Sequence, residues 1–223
     1  MSTEPYAFVS YQTDDKHVAG TIKKILESVG IKSFLAHEDI EVSEEWRVKI
    51  LKEIGKADIF VCILSNSYLK SHWCIQESGI AAFRKDITVI PLSIDGTVPQ
   101  AFLGNIQSAK INPDTLGIKD LIPGFLRRDI TKGLSILVKV IGSSGNYRGA
   151  EENFALIIPY LDKLTQSQGK SLLEASIKNS QVHDAGRCAN EYIPQVLKLF
   201  GHTLDPQDRQ FLEKTCRRYG ADI

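Results

Sequence analysis

After its opening aspartate, Asp58–Leu64 (DIFVCIL) is an unbroken apolar run rich in strand-forming residues. A strand with one wet face alternates apolar and polar side chains, whereas an unbroken run needs apolar cover on both faces. The chain around it supplies that cover. Tyr6–Tyr11 (YAFVSY), Lys32–Ala36 (KSFLA) and Ile87–Ile94 (ITVIPLSI) read as further strands, and Pro91 puts the last at an edge or a strand end. Between them lie segments of helical period. Val18, Ile22, Ile25, Leu26 and Val29 share one face, with Asp14 or Asp15 as cap and Gly30 at the end. Trp46, Ile50, Leu51 and Ile54 mark a second helix that stops near Gly55, and a third spans Trp73 to Phe83. Pro99–Pro123 holds a short helix and a fifth short strand around Ala109–Asn112, and Leu126–Ile141 reads as one amphipathic helix.

Strands alternating with helices imply βαβ units and a parallel sheet covered on both sides. The expectation is an α/β domain of flavodoxin-like order over residues 5–141, with a central parallel five-stranded sheet. In such sheets ligands bind beyond the carboxyl ends of the strands, so the loops after Tyr11, Ala36 and Leu64 are the places for chemistry. The glycine-rich stretch 142–149 (GSSGNYRG) reads as a linker, and 150–223 as a small all-helical C-terminal region. Four helices are expected there, the first kinked or started at Pro159 and the last opened by Asp205-Pro206 as N-cap and N1.

Charge and residue spacing exclude several occupations. Lys+Arg and Asp+Glu both number 27, so no net field favours nucleic acid or an anionic membrane surface. The first residues lack a basic segment followed by an apolar one, and the longest apolar runs are too short to span a bilayer. A cytoplasmic location is the resulting expectation. Cys62, Cys74, Cys188 and Cys216 form no CxxC pair, and the five histidines show no metal spacing, so no metal is expected. G-x-G-x-x-G, Walker A and G-x-S-x-G patterns are missing, which argues against a dehydrogenase, a P-loop NTPase and an acyl transferase.

Three segments carry a resemblance. They are Phe8-Val9-Ser10-Tyr11, then Phe34-Leu35-Ala36-His37-Glu38-Asp39-Ile40, and then Leu64-Ser65-Asn66-Ser67-Tyr68 with Ser71-His72-Trp73-Cys74-Ile75-Gln76-Glu77. Together they resemble the TIR (Toll/interleukin-1 receptor) domain family, bacterial type. The last block, S-x-x-Y followed by S-x-W-C-x-x-E, is the most specific. The resemblance implies one of two occupations. Enzymatic members cleave NAD at the nicotinamide–ribose bond, giving nicotinamide with ADP-ribose or a cyclic ADP-ribose isomer, which bacterial relatives use as an antiviral signal. Other members are non-catalytic adaptors that work through TIR–TIR contacts. In the enzymatic members the glutamate of the W-C-x-x-E block is catalytic, and here that residue is Glu77.

The resemblance also implies a substrate-binding set of Tyr11, Gln12, Thr13, Glu41, Trp46 and Trp73. Tyr11 can stack on a ring of the dinucleotide or simply pack in its strand. Gln12 and Thr13 stand where some relatives carry basic residues, and Ala36 where some carry an acid. Glu41 falls in the loop after the second strand, and for Trp46 packing is the simpler role. Trp73 reads as an anchor one helical turn before Glu77, and that turn is expected to lie near the helix start, where the dipole favours an ionised carboxylate. NAD is the implied substrate with no separate cofactor, and self-association is the implied partnership.

One carboxylate is chemically enough for this reaction. An ordinary glycosidase must protonate its leaving oxygen and so needs a second acid. The nicotinamide of NAD is a cationic pyridinium that leaves neutral, and a single anion can stabilise the oxocarbenium-like state at the ribose.

Overall fold

The computed structural model describes residues 5–36 and 45–223. The chain divides into two compact units, Met1–Gly124 and Phe125–Ile223. In the first, five strands form one sheet: β1 (Tyr6–Ser10), β2 (Lys32–Leu35), β3 (Ile59–Leu64), β4 (Thr88–Ser93) and β5 (Ala109–Lys110). Their order is β2-β1-β3-β4-β5 and every pairing is parallel. This is the flavodoxin-like arrangement expected from the alternation, with the strand order reversing between β1 and β3. β3, the IFVCIL of that run, is buried at every position, while Asp58 before it is exposed.

Phe8 stands in register with Phe34 on one side and Phe60 on the other. Its ring lies 5.4 Å from that of Phe34 and 5.6 Å from that of Phe60, so one row of aromatic rings crosses three strands. Pro91 is tolerated for a local reason. Thr88 and Ile94 of the β4 segment donate their N–H groups toward β3. The period of two turns position 91 the other way, and β5 begins only opposite Leu92. The missing N–H therefore costs no ladder bond.

Helices α1 (Lys16–Ser28), α2 (Trp46–Lys56), α3 (Asn66–Lys70) and α4 (His72–Phe83) connect the first four strands. α1 ends in a Schellman motif: Gly30 at φ 77° donates to the Glu27 carbonyl and Ile31 to that of Leu26. The short α3 is not expected from periodicity. Ser65 caps it by accepting from the Tyr68 N–H, and Ser71 caps α4 by accepting from that of Cys74.

Leu126–Ile141, expected as one helix, is two: α5 (Ile118–Arg128) and α6 (Ile130–Gly142). Asp129 is extended between them, and its carboxylate accepts from the Lys132 N–H at 3.0 Å to start α6. The units part at 124/125, so α6 belongs to the second unit, where it packs with α7 (Tyr147–Ile157) and α8 (Gln166–Lys178). Amide side chains hold it there. Gln168 donates to the Thr131 carbonyl at 2.7 Å, and Asn179 donates to the carbonyls of Gly142 and Ser144 at 2.9 Å each. The segment read as a linker shrinks to the few residues between α6 and α7, and these are pinned by Asn179. The second unit continues with α9 (Ser180–His183), α10 (Ile193–Phe200) and α11 (Pro206–Arg218), the last capped by Asp205 as expected. A π-helical turn, Cys188–Tyr192, precedes α10. Pro194 has no N–H to continue an α-helical ladder, and the turn widens so that Ile193 donates to the Cys188 carbonyl.

Candidate active site

Ser10 is the last residue of β1 and lies two positions after Phe8, so its side chain points to the same face. That face is covered by residues of α2, α3 and α4, including Ile50, Ile54, Tyr68, Cys74 and Ala81. Two contacts of Cys74 fix α4 near the end of β1. Its thiol donates to the Tyr11 carbonyl at 3.4 Å, and its own carbonyl accepts from the Tyr68 hydroxyl at 3.3 Å. Three residues further along α4, Glu77 comes within reach of Ser10.

The result is a buried acid among hydroxyls. Ser10 Oγ donates to Glu77 Oε2 at 2.5 Å and lies 2.9 Å from the Tyr68 hydroxyl, which lies 2.8 Å from Ser78 Oγ. Ser10 is fully buried, and Tyr68 and Glu77 are each 1% exposed. Glu77 Oε1 has no hydrogen-bond partner among the described residues. Burial raises the Glu77 carboxyl to about 7, against the smaller opposing effect of the Ser10 bond. A buried carboxylate oxygen with nothing to accept from is costly, and such groups mark places where a protein keeps a bond open.

A second acid lies at the same end of the sheet. Ser65, just after β3, donates to Asp15 Oδ2 at 2.6 Å, bridging the loops that follow β1 and β3 where the strand order reverses. Burial raises the Asp15 carboxyl, and the Ser65 bond opposes it. Beyond β4, a bond from the Thr97 side chain, with those from the backbone N–H groups of Asn66 and Thr97, holds the Asp95 carboxyl low. The loops after β1, β3 and β4 are thus tied together by side chains at the carboxyl edge.

The sequence profile of the TIR domain matches residues 7–122, just over half of the 223. The chain belongs to the TIR family. Among solved structures, it is similar to the TIR domain of the Toll-related receptor TRR-2 from Hydra magnipapillata, at 21% identity and a TM-score of 0.43, over 54% of this chain and 91% of that one. It is also similar to the TIR domains of the activated Roq1 resistosome that recognises the effector XopQ, at 17% identity and a TM-score of 0.38, over 87% of this chain and 98% of that one. Comparison with curated proteins gave no match.

Within this TIR domain the residues expected at the site are not all in one place. Tyr11 is fully buried, so stacking on a ligand ring requires it to move. Gln12 turns back on its own chain and accepts from the Asp14 N–H at 2.6 Å, while Thr13 is exposed at the start of the same turn. Trp46 packs against the core at the start of α2, the simpler of its two expected roles. Trp73 is 40% exposed although it lies one turn from the buried Glu77. Glu41 lies outside the described residues. One expectation about Glu77 changes. It sits in the second turn of α4, which has no acid in its first turn, so the helix dipole contributes little to its charge. Ser10, Tyr68 and Ser78 complete the polar cluster around Glu77, Asp15 is bonded separately to Ser65, and none of the four is expected from the sequence as a site residue. Their signal was present in part, since Ser10 and Tyr68 fall on two of the family's motif positions.

Proposed function

We propose that this TIR domain cleaves NAD at the nicotinamide–ribose bond, with Glu77 as the carboxylate that stabilises the cation developing on the ribose. The observation that carries the reading is Glu77 itself: one carboxylate oxygen is held by Ser10, and the other is buried without a partner among the described residues. Ribose hydroxyls are donors of the kind such an oxygen lacks, and charge developing beside it supplies the stabilisation that burial removes. Water as acceptor gives ADP-ribose, and capture by one of NAD's own hydroxyls gives a cyclic isomer that can serve as a defence signal. No separate cofactor enters. Because Glu77 is nearly inaccessible, the chain around the end of β1 must open to admit the dinucleotide. Contact between two TIR domains is a natural trigger, and it makes activity rise more steeply than protein concentration.

The test is incubation of the full chain with NAD at high protein concentration, with products resolved by mass. Nicotinamide release by the wild type and not by Glu77→Ala supports the reading. A second product one water lighter than ADP-ribose assigns the cyclase branch. No turnover at any concentration or under crowding moves the assignment to a non-catalytic TIR–TIR module.

A further inference from the structure

The hydroxyls beside Glu77 come from three separate elements: Ser10 from the end of β1, Tyr68 from α3 and Ser78 from α4. Donor and acceptor rules fix the direction of their bonds. An ionised carboxylate only accepts, so Ser10 must donate to Glu77 Oε2. The Ser10 oxygen then accepts from Tyr68, and Tyr68 in turn accepts from Ser78. Protonation of Glu77 allows the opposite sense. The acid donates to Ser10, Ser10 to Tyr68, and Tyr68 to Ser78 or to the Cys74 carbonyl. Only in the first sense does a hydroxyl donate to a charge, which is the stronger bond, and each bond polarises the next.

We infer that Ser10, Tyr68 and Ser78 are positioning residues, a line of hydroxyls that grips Glu77 by Oε2, favours its ionised form, and leaves Oε1 for a substrate hydroxyl. The mechanistic half of this role rests on the reading of Glu77 as the catalytic carboxylate. The electrostatic half stands on the geometry alone. Among the described residues no cation pairs with Glu77, so Ser10 is the one group that opposes the cost of its burial. The other titratable groups facing the cluster stay neutral through the range in which Glu77 titrates. Burial pushes the Cys74 thiol up to about 12, and it also raises the Cys62 thiol and the Tyr68 phenol.

The experiment reads Glu77 without substrate. Thermal unfolding midpoints of the full chain are followed from pH 4 to 9 for wild type and Glu77→Gln, and their difference traces the titration of Glu77. The same pair is then measured in Ser10→Ala, Ser10→Thr and Tyr68→Phe backgrounds. Loss of a hydrogen bond to a charged group is expected to move the titration midpoint up by about one to two pH units in Ser10→Ala. A smaller rise is expected in Tyr68→Phe, and return toward wild type in Ser10→Thr, which keeps the hydroxyl and suits a strand. If Ser10→Ala fails to fold, the Tyr68→Phe shift decides. A midpoint unchanged in Ser10→Ala, or in Tyr68→Phe when that variant decides, overturns the inference. Where the wild type turns over NAD, its pH–rate profile must move with the titration. Where it does not, the NAD reading fails while the titration still judges the line.

Discussion

Glu53 and Glu77 are both buried glutamates of the sheet domain, 4% and 1% exposed, and they sit at opposite ends of β1. Glu53 lies at the amino end. It accepts from the Tyr6 hydroxyl, and Lys56 Nζ stands 2.6 Å from the same carboxylate while stacking over the Tyr6 ring. Nearby, Arg84 donates to the carbonyls of Ile54 and Ala57 at 2.6 and 2.7 Å, closing the end of α2. At the carboxyl end Glu77 has a neutral serine, no cation among the described residues, and one empty oxygen. The same residue type is neutralised at one end and left exposed to its own desolvation at the other. The amino end is built to hold the fold together. The carboxyl end carries an electrostatic cost that the Ser10 bond offsets only in part, and open α/β sheets bind ligands at that end.

The comparison breaks most visibly through Glu77. With NAD as substrate, Glu77→Gln is expected to lower nicotinamide release by at least about 100-fold, the usual scale for removing a group that stabilises transition-state charge. Glu53→Gln is expected to leave the rate per folded molecule unchanged. Equal losses in the two variants would mean that the two ends of the strand are not functionally distinct.

Stability should separate them in the opposite sense. Glu77 has a folded-state value near 7, above its ordinary 4.5, so the folded chain binds its proton more tightly than the unfolded chain. The resulting stabilisation is complete below the ordinary value and is lost as the pH rises through about 7. Wild type is therefore expected to lose up to about 3 kcal/mol relative to Glu77→Gln between pH 4 and 9. Parallel curves for the two proteins, measured by denaturant unfolding, would remove the idea of a costly charge. Glu53→Gln should instead destabilise by about 1–3 kcal/mol at neutral pH, since it weakens charge-assisted bonds to Tyr6 and Lys56 while Lys56 can turn to water.

The legibility of these features in the sequence follows their range. The sheet was readable because burial on both faces leaves an unbroken run in β3, and because Gly30 and the helical period punctuate α1. α3 was not, since five residues give no period, and only the capping serines at 65 and 71 mark it. The break at Asp129 was hidden because the apolar positions of α5 and α6 fall close to one continuous register, so a single cap decides it. Glu77 was legible from its motif, but its partners were not. Ser10 and Tyr68 meet across 58 residues and Ser10 and Glu77 across 67, and strand-face parity together with helix docking makes those contacts. The membership of α6 in the second unit rests on Gln168 and Asn179, polar residues that give no hint in sequence of what they hold.

Ser65 and Ser71 offer the finest version of the comparison, because both cap a helix at the carboxyl edge and only one also holds an acid. Ser71→Ala removes the bond to the Cys74 N–H and should cost about 1 kcal/mol, with little dependence on pH. Ser65→Ala removes the matching bond to Tyr68 and should cost about as much at low pH. It also takes away the donor to Asp15, whose carboxyl burial already holds above its ordinary 3.8. With that opposing bond gone, the folded-state value rises further, so the added loss grows as the pH climbs from below 3.8 toward neutrality. The pH dependence of unfolding free energy for the two variants is the measurement. A Ser65→Ala curve that steepens away from Ser71→Ala would place Asp15 with Glu77 as a second carboxylate kept at a cost beside the strand reversal. Two parallel curves would leave Asp15 as a loop fastener, and would make Glu77 the single costly charge at this end of the sheet among the described residues.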